Sequence, residues 1–140
     1  RDFTGNLEAK YMMKTPKDFV YNIDAINRKR KYLIVTEGVL DAAALDGVAI
    51  MSNEASQNQI DYINMFKGEI IVSPDRDKPG EKLIKQAIEN GWSVSFPRWE
   101  DDIKDAADSV QRYGKLYTLK SVISGSISNS TKINVKMRLG

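Results

Sequence analysis

The sequence YLIVTEGVLD, at residues 32–41, is the most informative part of this chain. Its first half is a short apolar run, typical of a strand buried in a parallel sheet, and its second half brings in a glycine and two acids. Residues 69–77, with the sequence EIIVSPDRD, repeat the pattern of a buried strand followed by two acids. The chain between the two stretches is long enough for a crossover connection through a helix. The two stretches therefore predict parallel strands of one sheet.

The rest of the chain extends this alternation of strands and helices. Two further apolar runs predict strands at 48–51 and 92–96. Apolar residues at helical spacing predict helices at 39–45, 60–66, 106–113 and 115–123. A further helix is expected to begin at Pro79 and Gly80 and to stop before Asn90 and Gly91. Right-handed βαβ crossovers then give an α/β, Rossmann-like fold with a central, mostly parallel four-stranded sheet flanked by helices.

Composition limits the classes of protein that this chain can be. Its 140 residues, 41% hydrophobic and 29% charged, are enough for one globular unit. Without a membrane span or a secretory signal, we expect a soluble cytoplasmic protein, and the start at Arg1 suggests a piece of a longer chain. Zero Cys and zero His exclude disulfides, thiolate chemistry and the usual zinc ligands. Any metal here must be held by oxygen atoms.

The acids that follow the two central strands are candidate metal ligands. Glu37 lies one helical turn before Asp41, and Asp75 and Asp77 have the spacing of two that points side chains the same way in an extended loop. Carboxyl ends of parallel strands meet at one crevice, so the four carboxylates are expected to converge. Carboxylates suit Mg2+, which prefers oxygen ligands and leaves room for substrate phosphates. For each acid alone, a helix cap or an ordinary surface position is the simpler explanation.

Basic residues lie close in sequence to both acidic patches. A run that includes Arg28, Lys29 and Arg30 comes directly before the first strand, and the candidates after the second patch are Arg76, Lys78 and Lys82. Beside a metal site, these side chains are candidates to bind the phosphates of a nucleic acid. The net charge of +2 does not by itself predict nucleic-acid binding, and solvated loop and helix faces remain the alternative.

Taken together, the two acidic patches resemble the Toprim domain that bacterial-type primases, type IA and type II topoisomerases and certain nucleases share. The resemblance covers residues 30–114 and implies that Glu37, Asp75 and Asp77 are catalytic and bind magnesium, with Asp41 as a further acid. Mn2+ is expected to be able to replace Mg2+. A nuclease of this family would use the same acids with water as the nucleophile, whereas a topoisomerase fragment would need a catalytic Tyr from another domain. A receiver-type signalling domain has its acidic pair after the first strand and a single Asp after the third. This chain has the opposite arrangement.

A third block narrows the resemblance to DnaG-type primases. Lys104 and Asp105, followed by Tyr113 and Gly114, are similar to the Lys-Asp-Pro-Asp block of that family, which implies that Asp105 is a metal ligand. The match is incomplete, because alanines stand at 106 and 107 where the family has Pro and a second Asp, and Asp108 is one position off. The segment 117–140 resembles the end of primases from tailed phages whose helicase is a separate protein.

The resemblance implies a division of the chain and a function. Residues 1–30 correspond to a linker at the end of an upstream polymerase subdomain, 31–114 to the Toprim catalytic domain, and 115–140 to a C-terminal helix and tail. The implied function is template-directed RNA primer synthesis in phage DNA replication, in the bacterial host cytoplasm. The implied partners are a single-stranded DNA template, ribonucleoside triphosphates and a separate replicative helicase, with no membrane and no zinc in this fragment. The fragment alone is expected to be inactive or weakly active, and a helicase- or DNA-binding scaffold is the non-enzymatic alternative.

Several smaller features lead to further expectations. Residues 10–13 and 19–21 are candidates for short strands, and the polar stretch 124–130 is expected to be a loop or tether. Residues 133–137 suggest a strand or a partner-binding tail. Trp99 is a candidate for stacking on a base, whereas Trp92 heads a strand and is expected in the core. Ser52 and Asn53 are expected to cap the following helix, with nucleotide contact as the alternative.

Overall fold

A computed structural model of the chain describes residues 17–75 and 80–139, so the candidate strand at 10–13 lies outside the described residues. After a short 3-10 helix at Ile23–Asn27, the strands and helices alternate. The strands are β1 (Tyr32–Thr36), β2 (Val48–Ala49), β3 (Glu69–Val72), β4 (Ser93–Ser95) and β5 (Ser126–Ile127). The helices are α1 (Val39–Leu45), α2 (Gln57–Ile63), α3 (Glu81–Glu89), α4 (Ala106–Tyr113), α5 (Lys115–Ser124) and α6 (Ser130–Leu139).

The strands form one sheet in the order β2-β1-β3-β4-β5. The first four strands are parallel, and Val35 of β1 lies in register with Val72 of β3. The α/β fold with a mostly parallel sheet is therefore confirmed. The sheet has five strands rather than four, because β5 pairs antiparallel with β4 through Val94 and Ile127.

Alternate residues of β1 and β3 point to opposite faces of the sheet, and both faces are covered. On one face, Leu33 and Val72 pack in a cluster with apolar residues of α2 and α3. On the other face, Ile34 and Ile71 pack with residues of α1, α4 and α5, including Leu45. Burial on both faces explains why these strands are continuously apolar instead of alternating with polar residues.

Helix α2 begins at Ser56, so the prediction that Ser52 and Asn53 cap it is wrong. The hydroxyl of Ser56 accepts a hydrogen bond from the Gln59 amide at 3.2 Å, and the Gln59 side chain in turn accepts one from the Ser56 amide at 2.9 Å. This reciprocal capping box satisfies two amides that helix formation leaves without a partner. Gln59 is buried and its side-chain amide also donates to the Ile50 carbonyl at 2.9 Å, which ties the helix to the end of β2.

The C-terminal part of the chain differs from the sequence-based expectation. The polar stretch 124–130 contains β5, because the Phe96 amide donates to the Gly125 carbonyl at 2.9 Å and aligns the chain with β4. Residues 133–137 belong to helix α6, not to a strand, and Ile133 of that helix is fully buried in the core. At the other end, 19–21 forms only an isolated antiparallel bridge between Tyr21 and Ala49.

Both tryptophans belong to the core, as predicted for Trp92 but not for Trp99. The indole N–H of Trp92 donates to Asn64 Oδ1 at 2.7 Å, and that of Trp99 donates to Ser121 Oγ at 2.8 Å. Trp99 is 8% exposed, so its ring is not available to stack on a base. Across the described part of the chain, every helix is too short or too polar to cross a bilayer.

Candidate metal centre

Glu37 and Asp75 lie at the same edge of the sheet, as the topology predicts. Glu37 directly follows β1, and Asp75 follows β3 after two residues. Backbone hydrogen bonds fix the chain where it leaves each strand. The Ser73 amide donates to the Val35 carbonyl, and the Met51 amide donates to the Glu37 carbonyl, each at 2.8 Å. The carboxyl ends of these two neighbouring parallel strands thus meet where an open α/β sheet binds its ligands.

The environment of the Glu37 carboxylate is unfavourable for a negative charge. Burial, and secondarily the charge of Asp75, raise the pKa of Glu37 from 4.5 to about 7. Its Oε1 atom is buried and has no hydrogen-bond partner among the described residues. A buried carboxylate oxygen without a partner is destabilising, because it has given up its hydration without replacement. A divalent cation beside Glu37 and Asp75 would supply the missing partner and offset the repulsion between them.

Gly80 makes room for the Glu37 carboxylate. A methyl group at Gly80 would overlap Glu37 Oε1 and would lie 3.0 Å from its Cδ atom. Gly80 precedes helix α3 and has a φ of −68°, which any residue can adopt, so the requirement here is space and not backbone conformation. Gly80 thus leaves the space that the side chain of Glu37 occupies.

Some predicted members of the site lie outside the described residues. They are Arg76, Asp77 and Lys78, and the roles predicted for these three residues stay predictions. Among residues 17–75 and 80–139, no three acids come together as a potential metal site. The described part of the site consists of Glu37 and Asp75. Their two negative charges and the unpartnered Oε1 atom of Glu37 suit a divalent ion.

Asp41 and Asp105 meet at a different place, the beginning of helix α4. Asp105 is the N-cap of this helix and accepts a hydrogen bond from the Asp108 amide at 2.8 Å. Asp41, on α1, accepts one from the Ala107 amide at 3.2 Å. Capping of this kind satisfies free amides and favours negative charge near a helix N-terminus. Metal binding by Asp41 and Asp105 stays a prediction, and the structure gives both side chains a capping hydrogen bond.

The predicted phosphate-binding residues divide between the two edges of the sheet. Arg28, Lys29 and Arg30 precede β1, so they lie at the amino edge, away from Glu37. Arg30 donates from Nη1 to the Asp46 carbonyl at 2.5 Å. The structure thus does not bring this run together with the acids. Lys82 lies in the first turn of α3, close in the chain to Gly80, and its Nζ is 3.8 Å from Glu54 Oε1.

A βαβ fold with two acids at the carboxyl ends of neighbouring strands belongs to the open α/β class, whose members bind ligands at that edge of the sheet. A family model described as Toprim-like matches residues 34–110. The chain therefore belongs to the Toprim-like family. None of the curated proteins matches the sequence significantly.

Two solved structures share this fold over most of the chain. One contains the zinc-binding and RNA polymerase domains of the Aquifex aeolicus primase, with a TM-score of 0.62 and 21% identity over 81% of this chain. The other is the DnaG catalytic core, with a TM-score of 0.60 and 20% identity over 79% of this chain. The chain spans only 32% of the first structure and 40% of the second.

Proposed function

We propose that this chain is the Toprim catalytic unit of a DnaG-type primase and takes part in nucleotidyl transfer that joins ribonucleotides on a single-stranded DNA template. The observation that carries the proposal is the Glu37 carboxylate at the carboxyl edge of the sheet, with its Oε1 atom buried without a partner and with the charge of Asp75 beside it. The Toprim-like family assignment and the fold shared with two primase structures support it.

The residues of this chain would act by holding and orienting charge. Glu37 and Asp75, with Asp77 as the predicted third acid, would hold Mg2+ or Mn2+. A divalent ion in such a site neutralises phosphate charge and favours displacement at phosphorus. Gly80 keeps the space into which Glu37 projects. Lys82, with its side chain exposed beside this edge, would bind a phosphate of the incoming ribonucleoside triphosphate.

Several finer parts of the proposal follow from the primase resemblance. The chain would act in phage DNA replication, in the cytoplasm of the bacterial host, with a replicative helicase encoded as a separate protein. The polymerase and zinc-binding segments would be supplied outside the chain, since it spans about a third of the Aquifex aeolicus structure. By itself the chain would make little or no primer.

The test measures RNA synthesis by a chimaera in which this chain replaces the Toprim unit of a DnaG-type primase. Labelled ribonucleotides are supplied on a single-stranded DNA template with Mg2+, and products are resolved by length. We expect short RNA products from the chimaera and at least a hundredfold loss with Glu37→Gln, because that substitution removes charge and preserves shape. The matched control is Glu89→Gln, an exposed acid on α3.

Three results would contradict the proposal. Undiminished synthesis with Glu37→Gln would remove Glu37 from the chemistry. Absence of RNA from a folded chimaera, together with metal-dependent nicking of plasmid DNA by the chain, would favour a Toprim nuclease. Absence of RNA synthesis, of DNA nicking and of metal binding would favour a non-enzymatic scaffold.

A further inference from the structure

A cleft of about 740 Å3, with neither Glu37 nor Asp75 in its lining, lies beside β5, the last strand of the sheet. Its lining residues come from the segment that follows β4, from α5, from β5 and from α6. Its lining includes Arg98, Tyr117, Lys120, Ser121 and Lys136. Three of them are cations and none is an acid. The volume is that of a typical ligand site.

The three cations of this cleft lack counter-charges in the described part of the chain. Arg98, Lys120 and Lys136 are exposed, and none belongs to a salt bridge between described residues. Arg112 and Lys115, in contrast, each pair with an acid at 2.7 Å. Cations that share a cleft repel one another, so the cleft favours a ligand with several negative charges.

An aromatic side chain lines the same cleft. Tyr117 is 47% exposed, and its ring centroid lies 4.8 Å from that of Tyr113, in a tilted arrangement. Tyr113 is anchored in turn, because its hydroxyl donates to Glu100 Oε1 at 2.9 Å. One side of the Tyr117 ring is thus supported while much of the residue stays accessible. Exposed aromatic rings beside cations are the usual means of binding unpaired bases.

The walls of the cleft are joined by short hydrogen bonds. Ser95 of β4 donates from its hydroxyl to the Val122 carbonyl of α5 at 2.6 Å, and Trp99 donates to Ser121 at 2.8 Å. These bonds fix the segment that carries Arg98 against α5. A preformed cleft loses less conformational entropy on binding than one that must assemble around its ligand.

The geometry points to a binding site for single-stranded nucleic acid in this cleft, with Arg98, Lys120 and Lys136 on the phosphates and Tyr117 against a base. A duplex fits less well, because its paired bases are stacked inside and offer Tyr117 no free face. Since β3 and β4 are parallel neighbours, Arg98 leaves the sheet at the same edge as Asp75. The bound nucleic acid would therefore run towards the edge of the sheet that carries Glu37 and Asp75. This route rests on the proposed function, whereas the binding of nucleic acid in the cleft does not depend on it.

The test is fluorescence anisotropy of the full chain with a labelled oligothymidylate of about 12 nucleotides, within the usual range of single-strand sites. Binding is measured with EDTA, so that the metal centre does not contribute, over a series of salt concentrations. The variant Arg98→Gln/Lys120→Gln/Lys136→Gln removes the three cations. The control Lys17→Gln/Lys67→Gln/Lys85→Gln removes the same charge from exposed lysines that do not line the cleft.

We expect the cleft variant to bind at least tenfold more weakly than the control at low salt. The slope of log affinity against log salt should become shallower by about 2, since each phosphate contact on a single strand contributes about 0.7. Tyr117→Leu should weaken binding about fivefold or more at unchanged salt slope.

Equal binding by the cleft and control variants would overturn the inference, as would equal affinity for a duplex of the same length. Full displacement of the oligonucleotide by millimolar inorganic phosphate would also overturn it and indicate a site for free phosphate. Failure here and failure of the proposed function are separable, because Mn2+ binding by the cleft variant reports on the acidic edge alone.

Discussion

The substitution Glu37→Gln should stabilise the metal-free protein at neutral and higher pH. Glutamine has the shape of the protonated acid and carries no charge that burial and Asp75 can disfavour. Because the pKa of Glu37 is raised from 4.5 to about 7 by folding, the folded state holds a proton that the unfolded state has released between these pH values. The free energy of unfolding of the wild type therefore falls as the pH rises from about 4.5 to about 7.

The size of this effect follows from the pKa shift. A pKa shift from 4.5 to about 7 corresponds to at most about 3 to 4 kcal/mol, since one pKa unit is worth about 1.4 kcal/mol. Glu37 keeps partial contact with solvent, and screening lowers the expected value to about 1 to 2 kcal/mol. Glu37→Gln should thus equal the wild type in stability at pH 4 and exceed it by about 1 to 2 kcal/mol at pH 8.

The assay is urea unfolding followed by circular dichroism from pH 4 to pH 8, with EDTA and with the exposed Glu89→Gln as the control. Saturating Mg2+ should reverse the order at pH 8, because an ion at 100 times its dissociation constant stabilises the wild type by about 2.7 kcal/mol and Glu37→Gln binds it weakly. A pH-independent difference between the two proteins, or a less stable variant at pH 8 without metal, would refute the reasoning.

Three further substitutions test other parts of the structure. Gly80→Ala places a methyl group against the Glu37 carboxylate and should weaken Mn2+ binding at least tenfold in a calorimetric titration; unchanged affinity would show that the contact is unimportant. Asp105→Ala removes the N-cap of α4 and should lower the free energy of unfolding by about 1 kcal/mol, whereas a neutral result would argue against the capping role. Gly125→Ala brings a methyl group to 3.0 Å from the Phe96 carbonyl and should cost about 1 to 3 kcal/mol in the same urea assay, unless β5 is dispensable for stability.

The central strands were predictable because their pattern is determined locally. The apolar runs of β1 and β3 are continuous and end at acids or turn residues, and α4 has the predicted bounds Ala106–Tyr113. Strand β5 was not predictable, because its two residues lie in a polar stretch and become a strand only through pairing with β4. The sequence did not predict helix α6, because it contains β-branched residues such as Ile133 and Val135, which favour strands over helices. Its position depends on burying Ile133 in a core built by other elements.

The site was predictable where topology alone places residues. Glu37 and Asp75 follow parallel strands, so their meeting needs no knowledge of packing. The hydrogen bond between Asp41 and the Ala107 amide joins residues 66 positions apart and depends on how α1 packs against α4. The basic run beginning at Arg28 was expected near the acids, yet it precedes β1 and so lies at the opposite edge of the sheet. Proximity in sequence to a strand was less informative than which end of the strand the run adjoins.

The claim that Glu37 and Asp75 together hold a divalent ion is tested most directly by titrating the chain with Mn2+ and following the free ion by electron paramagnetic resonance. The wild type should bind Mn2+, Mg2+ should displace it, and Glu37→Gln and Asp75→Asn should each weaken binding at least tenfold, while Glu89→Gln should not. Binding of equal strength in the wild type and both site variants would contradict the account.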